Sequence, residues 1–237
     1  MTITELTNEK AVNFNPPSFT VDNIIGDIPE PFPNQASFMV FCGKSRSGKT
    51  SLMINLITSK RMYRGKFDNI LVISPQHSLA SMKNNIFESL DDDKIKHEMD
   101  YETLDHIHDK IEDYASEGEN NLLIIDDMTA HLKNRDVQKL LSMMINNRRH
   151  LRLSIWMLVQ TYRSIPLHIR KTINYLIMYS PSNKKETSSI WEELLTISKD
   201  EFDEIISYVF QKKYEYLVID TDAHVFFKKF NELKISR

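Results

Sequence analysis

Cysteine is all but missing from this chain: Cys42 is the single one in 237 residues. One thiol excludes a disulfide framework within the chain and fits a reducing, intracellular compartment. At the end of an apolar strand, it reads as a small core residue rather than a nucleophile. Long apolar runs are missing too. Stretches such as "SIWMLV" around Trp156 fall far below the roughly 18 residues of a membrane-crossing helix. The polar start "MTITELTNEK" has no apolar h-region, so no secretory signal is expected. Nor is there a large excess of charge of one sign. The formal net charge is −3, with 41% hydrophobic and 27% charged residues, a composition that excludes disorder and a membrane span and suits a soluble globular protein. No internal repeat and no low-complexity tract is present.

What is there is an alternation of strands and helices. The length suits one α/β domain with a large core and is short for two. Residues 1–35 are polar and then Pro-rich (Pro16, Pro17, Pro29, Pro31, Pro33), which breaks any long helix and predicts an arm laid on a domain spanning 36–237. Ser37–Cys42 and Asn69–Ser74 read as strands, with a helix to about Lys60 between them. Leu79 to Gly118 reads as helical with an acidic break at Asp91-Asp92-Asp93. Leu122–Ile125 is a continuous apolar run, as expected of a parallel strand covered on both faces. A helix over Asn134–Asn147 precedes a buried strand that ends at Gln160. After it come "IPLHIRKTI" as a short helix, "NYLIMYS" as a strand, and helical segments around Trp191 and Phe202. "YEYLVID" and "AHVFFKKF" are expected to pair as an antiparallel edge through Thr221-Asp222. The order predicts a mostly parallel central sheet with helices on both faces and antiparallel strands toward the C-terminus.

The chemistry starts at Gly43-Lys44-Ser45-Arg46-Ser47-Gly48-Lys49-Thr50, followed by Ser51. "GKSRSGKT" satisfies G-x4-G-K-[ST] between an apolar strand and an apolar-periodic helix. Gly43 and Gly48 let backbone N–H groups wrap an anion, Lys49 reaches the β and γ phosphates, and the Thr50 hydroxyl reaches Mg²⁺. The helix N-terminus adds partial positive charge. Asp126 follows four apolar residues, at the carboxyl end of a central strand where an open α/β sheet gathers its ligands, and there it can hold Mg²⁺ opposite Thr50. Asp127 beside it can orient and deprotonate an attacking water; the alternative is a helix N-cap. Gln160 would face the γ phosphate if its strand lies between the Asp126 strand and the strand leading into the phosphate loop.

Charge is unevenly spread. Phe87–Asn120 carries thirteen acidic residues against three lysines, and His131–Tyr175 nine Lys or Arg against Asp136. Such a split builds one basic face, suited to nucleic-acid phosphates, or two solvated surfaces that pair with each other. Arg148, Arg149 and Arg152, just before the Gln160 strand, have no evident task in their own site. Arg149 is favoured as an arginine finger acting in a neighbouring subunit, with Arg148 and Arg152 as alternatives; all three could instead bind DNA phosphates or solvate a surface. Arg163 and Arg170 pose the same choice. His106 and His108, two apart on a helix, are poorly spaced for a shared metal. Met143, Met144, Trp156 and Trp191 read as core.

The order "GKSRSGKT", "LLIIDDM", then "NNRRHLRLSIWMLVQTYRSIP" resembles the viral DNA-packaging ATPases of the FtsK–HerA superfamily, the branch found in poxviruses, other large nucleocytoplasmic DNA viruses and virophages. The resemblance covers roughly Ser37 to Ser180. It implies a P-loop NTPase fold of the ASCE type and an ATP hydrolase working as an oligomeric ring of five or six subunits. Such a ring threads double-stranded viral DNA into a preformed capsid. It also implies ATP and Mg²⁺ as cofactors, capsid or membrane proteins of the virion as partners, and no small-molecule substrate beyond ATP. The expected place is the host cytoplasm, in a viral factory or an assembling virion. By that resemblance Lys49 and Thr50 bind nucleotide and metal, Asp126 the metal, Asp127 is the catalytic carboxylate and Gln160 the sensor. Many superfamily members carry Asp-Glu where this chain has Asp126-Asp127. The competing readings are another P-loop translocase or helicase, a nucleoside or small-molecule kinase, and a non-hydrolysing scaffold that binds ATP to assemble.

Overall fold

A computed structural model of the chain describes residues 24–80 and 86–234. Its elements, in order, are β1 (Phe38–Cys42), α1 (Lys49–Thr58), β2 (Asn69–Ile73), α2 (Gln76–Ala80), β3 (Ile95–Lys96), α3 (Tyr101–Ser116), β4 (Asn121–Asp126), α4 (Arg135–Asn146), β5 (Leu153–Val159), α5 (Leu167–Arg170), β6 (Tyr175–Tyr179), α6 (Lys184–Leu194), α7 (Lys199–Val209), β7 (Tyr216–Asp220), β8 (Val225–Lys228) and β9 (Asn231–Leu233). They build one nine-stranded sheet in the order β3-β2-β4-β5-β1-β6-β7-β8-β9. Strands β3 to β6 in that row are parallel, and β7, β8 and β9 add antiparallel. The expected mixed α/β sheet is therefore present.

The continuous apolar runs are explained by burial on both sides. Alternate residues of one strand face opposite ways. Phe38, Val40 and Cys42 of β1, Leu123 and Ile125 of β4, and Ile155 and Met157 of β5 pack beneath α3, α4, α6 and α7. Met39 and Phe41, Leu122 and Ile124, and Trp156 and Leu158 pack on the other face, beneath α1. There Trp156 is fully enclosed by Phe41, Tyr63 and Phe67, with ring centroids 5.8, 5.1 and 6.1 Å away. The helices begin where local caps allow: Asp100, Asn134 and Asn183 accept backbone N–H bonds at the starts of α3, α4 and α6, and Ser198 and Glu201 form a capping box at α7.

Two expectations are corrected. Residues 86–100 are turns, a 3₁₀ turn at Asp92–Lys94 and the short β3 rather than helix. The acidic run disfavours helical stacking of like charges, and the open edge of β2 takes Ile95 and Lys96 as a pairing partner. Residues 81–85 of that stretch lie outside the described residues. Met143, expected in the core, is exposed on the outer face of α4, whereas Met144 is buried. The expected antiparallel edge of β7 and β8 is present, and β9 extends it.

Of the Pro-rich segment expected as an arm, residues 1–23 lie outside the described residues. Residues 24–35 lay Ile25, Ile28 and Phe32 into the core beneath α1. Tyr63 Oη donates to Pro33 O at 2.7 Å, and the Phe32 ring meets Phe230 edge-on at 5.5 Å. Truncating Phe32 to Ala should cost about 3 kcal/mol, read as a lower urea midpoint with unchanged slope; an unchanged midpoint would show that this segment is not part of the folding unit.

Candidate functional site

The carboxyl ends of β1, β4 and β5 meet at one place because β5 lies between the other two. In register, Cys42 pairs with Val159, and Asp126 with Leu158. The loop Gly43–Gly48 leaves β1 and opens α1. Its first amide, Gly43 N, donates to Val159 O at 3.1 Å, and Ser47 N closes a turn on Lys44 O at 3.2 Å. Arg46 (φ 62°) and Gly48 (φ 110°) are left-handed, which turns successive N–H groups toward one concavity of the kind that binds anions. A Cβ at Gly43 would lie 2.8 Å from Tyr179 Cβ and 2.9 Å from Ser47 Oγ, so only glycine lets the loop sit against β6. Ser47 Oγ is buried without a hydrogen-bond partner in the protein, a position an anion's oxygen would satisfy. Lys49 Nζ donates to Gly43 O at 2.5 Å and Lys44 O at 3.1 Å. Its burial lowers the ammonium pKa, while Asp126, Cys42 and Asp127 pull the other way.

Facing this loop are two acids with different surroundings. Asp126, half-buried at the end of β4, has its pKa pushed up to about 6 by burial and then by the charge of Asp127, with Lys49 opposing. Asp127 is exposed and has a left-handed backbone (φ 55°), its N–H donating to Leu158 O at 3.1 Å. Asp and Asn are the side chains, after Gly, best suited to that conformation, which gives a local reason for Asp rather than Glu here. The 3₁₀ turn that follows, Thr129–Lys133, starts from Met128 with no side-chain cap, so Asp127 is not its N-cap. Instead Gln160 Nε2 reaches both carboxylate oxygens of Asp127, at 3.2 and 3.0 Å.

Ser45, Arg46, Lys49, Thr50, Asp126, Asp127 and Gln160 thus line one open cleft of about 270 Å³, completed by Leu158 and by Ser78 of α2. Thr50 and Asp126 are hard oxygen donors of the type divalent cations prefer. Ser78 was not foreseen; nothing in "PQHSLA" marks it until α2 is placed over the cleft. Ser51 lies to the other side, in a neighbouring hollow with Leu52, Tyr179 and Tyr214.

The arginines divide. Arg148, Arg149 and Arg152 precede β5, at the far end of that strand from Gln160, about 20 Å away by strand rise. Arg148 is half-buried, donates to Ile145 O at 3.0 Å, and has its pKa lowered by burial against the charge of Asp222. Arg152 donates to Gly118 O at 2.7 Å, and Arg149 is exposed. Arg170 is buried in a fork to Glu193, at 2.8 and 2.7 Å, with its guanidinium 5.0 Å from the Tyr162 ring centre, which makes it a packing residue. Arg163 is exposed at the Gln160 end. Lys133, Arg135 and Lys171 are exposed too, and the acidic α3 packs directly against the basic α4. His106 is exposed, while His108 sits near Asp109 and Glu112 at 3.9 and 3.6 Å, a solvated acidic face.

A further residue, silent in the sequence, braces the site from below. The buried Glu186 of α6 accepts from Tyr162 N at 2.6 Å, Ser182 N at 3.2 Å and Cys42 Sγ at 3.6 Å. It ties the start of the phosphate loop to the turn after Gln160. Burial and this carboxylate push the Cys42 thiol well up, which leaves it inert, as the sequence suggested. In "KKETSS", Glu186 looks like any surface helix residue.

Comparison with known proteins comes to one family and one fold. The sequence model of the family described as "Poxvirus A32 protein" matches residues 32–233. No curated protein matches the chain in sequence. Among solved structures, it is similar to the DNA-packaging ATPase B204 from Sulfolobus Turreted Icosahedral Virus (TM-score 0.64, 18% identity, 86% of this chain and 100% of that one). It is also similar to the genome packaging NTPase B204 from Sulfolobus turreted icosahedral virus 2 bound to ATP-gammaS (TM-score 0.61, 14% identity, 83% and 97%). A third likeness is to the cytoplasmic domain of the Type VII secretion ATPase EccC of Thermomonospora curvata (TM-score 0.55, 12% identity, 92% and 28%). At these identities the likeness is one of fold.

The raised Asp126 pKa has a sign. Ionising a carboxyl whose folded pKa exceeds its unfolded value costs stability, and that cost grows from about pH 4 and is complete above about pH 6. In chelator, Asp126→Asn should therefore stabilise the protein by about 1 kcal/mol at pH 8, after discounting for solvent screening at this partly buried site. The gain should shrink toward pH 4; melting temperatures of both proteins across that range check it.

Proposed function

Because this chain belongs to the poxvirus A32 protein family, we propose that it is a genome-packaging ATPase, hydrolysing ATP to move double-stranded viral DNA into a capsid. The observation that carries this reading is the Asp127–Gln160 pair, held across the cleft from Lys49 and Thr50. A carboxylate fixed by an amide beside the phosphate cradle suits the activation of water. The loop amides and Lys49 bind and orient the β and γ phosphates. Thr50 and Asp126 would hold Mg²⁺, which when bound neutralises charge on those phosphates. Asp127 accepts a proton from water as the water oxygen bonds to Pγ and the bond from Pγ to the β–γ bridging oxygen breaks, leaving ADP and phosphate. Gln160, bonded to Asp127 and facing the same cleft, is placed to register the loss of the γ phosphate and pass it to the turn that Glu186 braces.

Work on a duplex needs more than one copy. Arg149 lies at the far end of β5 from its own cleft, and its proposed place of action is a neighbouring subunit's site, in a closed ring of five or six chains. Exposed Lys133, Arg135 and Lys171 supply cations for duplex phosphates. No helix among the described residues is long and apolar enough to cross a membrane, and the host cytoplasm, at the site of virion assembly, is the proposed place. The proposed division is an N-terminal segment, residues 1–35, on the 36–237 ATPase domain, and capsid or membrane proteins of the virion are the proposed partners.

Purified protein should hydrolyse ATP, faster with linear double-stranded DNA, and lose this in Lys49→Ala; turnover indifferent to DNA would overturn the motor reading. Asp127→Asn should lower kcat by roughly 10²–10⁴ while nucleotide still binds. Arg149→Ala and Asp127→Asn, each inactive alone, should regain part of their activity when mixed, since one supplies the arginine and the other the carboxylate; no recovery would remove Arg149 from the neighbouring site.

A further inference from the structure

At the amino-terminal ends of β1, β5 and β6, the opposite end of these strands from the nucleotide cleft, lies a hollow of about 320 Å³. It is walled by Ser37, Arg148, Arg149, Asn174 and Asp222 and bordered by residues 33–36. We propose that it is a second anion site, which takes one phosphate group, with Arg148 and Ser37 as its inner donors.

Separate parts of the chain meet here. Ser37 immediately precedes β1, and its carbonyl accepts from Ile155 N at 2.9 Å; Arg148 and Arg149 come from the turn between α4 and β5. Asn174, just before β6, is held on both sides. Its Oδ1 accepts from Phe38 N at 3.0 Å, and its Nδ2 donates to Asp222 Oδ2 at 2.8 Å. The sheet register and these two bonds fix the walls before any ligand arrives, which lowers the cost of binding.

Two donors in those walls lack acceptors. Ser37 is 4% exposed and its Oγ has no partner in the protein; Arg148 Nε is buried and equally unpartnered. The Nη1 of the same guanidinium is spent on Ile145 O at 3.0 Å. Buried donors left unbonded are costly, and a charged one more so. A single oxyanion in the hollow would satisfy both.

Charge sets the sign of the ligand. Two guanidinium groups face one carboxylate, Asp222, whose Oδ2 is already bonded to Asn174, so the hollow carries net positive charge. The donors approach from β1 and from the α4–β5 turn, and the Arg148 fork is partly used. Oxygens arranged as a tetrahedron meet such donors better than the flat pair of a carboxylate. The length of β5, about 20 Å by strand rise, separates the hollow from Gln160, so one phosphate cannot serve both ends. The phosphate is either the free ion or part of a nucleic-acid strand, since the same donors recognise both.

The full-length Lys49→Ala protein, with its phosphate loop disabled, isolates the hollow. Inorganic phosphate replacing chloride at equal ionic strength should raise its melting temperature along a saturating curve. In that background Arg148→Gln should need roughly tenfold more phosphate for the same rise, and Ser37→Ala about threefold more. Ser37→Ala removes only a hydroxyl, so it carries the test should Arg148→Gln fail to fold. A short double-stranded oligonucleotide, followed by fluorescence anisotropy, separates the two sources. Weaker oligonucleotide binding in the variants places the phosphate on a strand; a loss confined to inorganic phosphate identifies the free ion. If neither substitution changes the response to either probe, the hollow is not an anion site.

Discussion

The placing of β5 between β4 and β1 is the constraint on which the rest depends. Parallel register aligns Asp126 with Leu158 and Cys42 with Val159. The residues just past those pairs, Asp127, Gln160 and the first loop amide, therefore emerge side by side. The register is held by burial of both sheet faces, because a one-residue slip would exchange every inward residue between two differently shaped cores. Fully enclosed Trp156, which fills the space between Phe41, Tyr63 and Phe67, fits on one face only.

Upon that frame the site holds conformations that chains seldom adopt. Arg46, Gly48, Asp127 and Tyr214 are all left-handed and all border the cleft or the hollow beside it. Ser47 carries an unpartnered buried hydroxyl, and Asp126 carries a charge that its burial disfavours. The Ser47 hydroxyl and the Asp126 charge cost stability in the protein alone and become favourable when an anion and its counter-charges occupy the cleft.

Beneath the cleft, charge is neutralised by pairing instead. Glu186 receives two backbone amides and the Cys42 thiol, and Arg170 closes on Glu193 beside Tyr162. These contacts make the turn after Gln160 rigid on one side while its other side faces solvent and ligand.

The phosphate loop, Asp126 and the mixed sheet were legible in the chain because each is a local pattern: glycines at fixed offsets, four apolar residues ending in an acid, strand-length runs between helical periods. The antiparallel edge at β7 and β8 was equally local, read from two runs around one turn. What only the tertiary structure decided depends on partners distant in sequence. The hydrogen bonds from Gln160 to Asp127 span 33 residues, the brace from Glu186 to Cys42 spans 144, and neither leaves a spacing to read. Residues 86–100 were misread as helix because the deciding force, an unpaired edge of β2, lies outside the segment. Arg170 looked like a free cation until Glu193 and Tyr162 closed on it. Sequence determines what a short stretch prefers; which of those preferences survive is decided by the neighbours that burial brings against it.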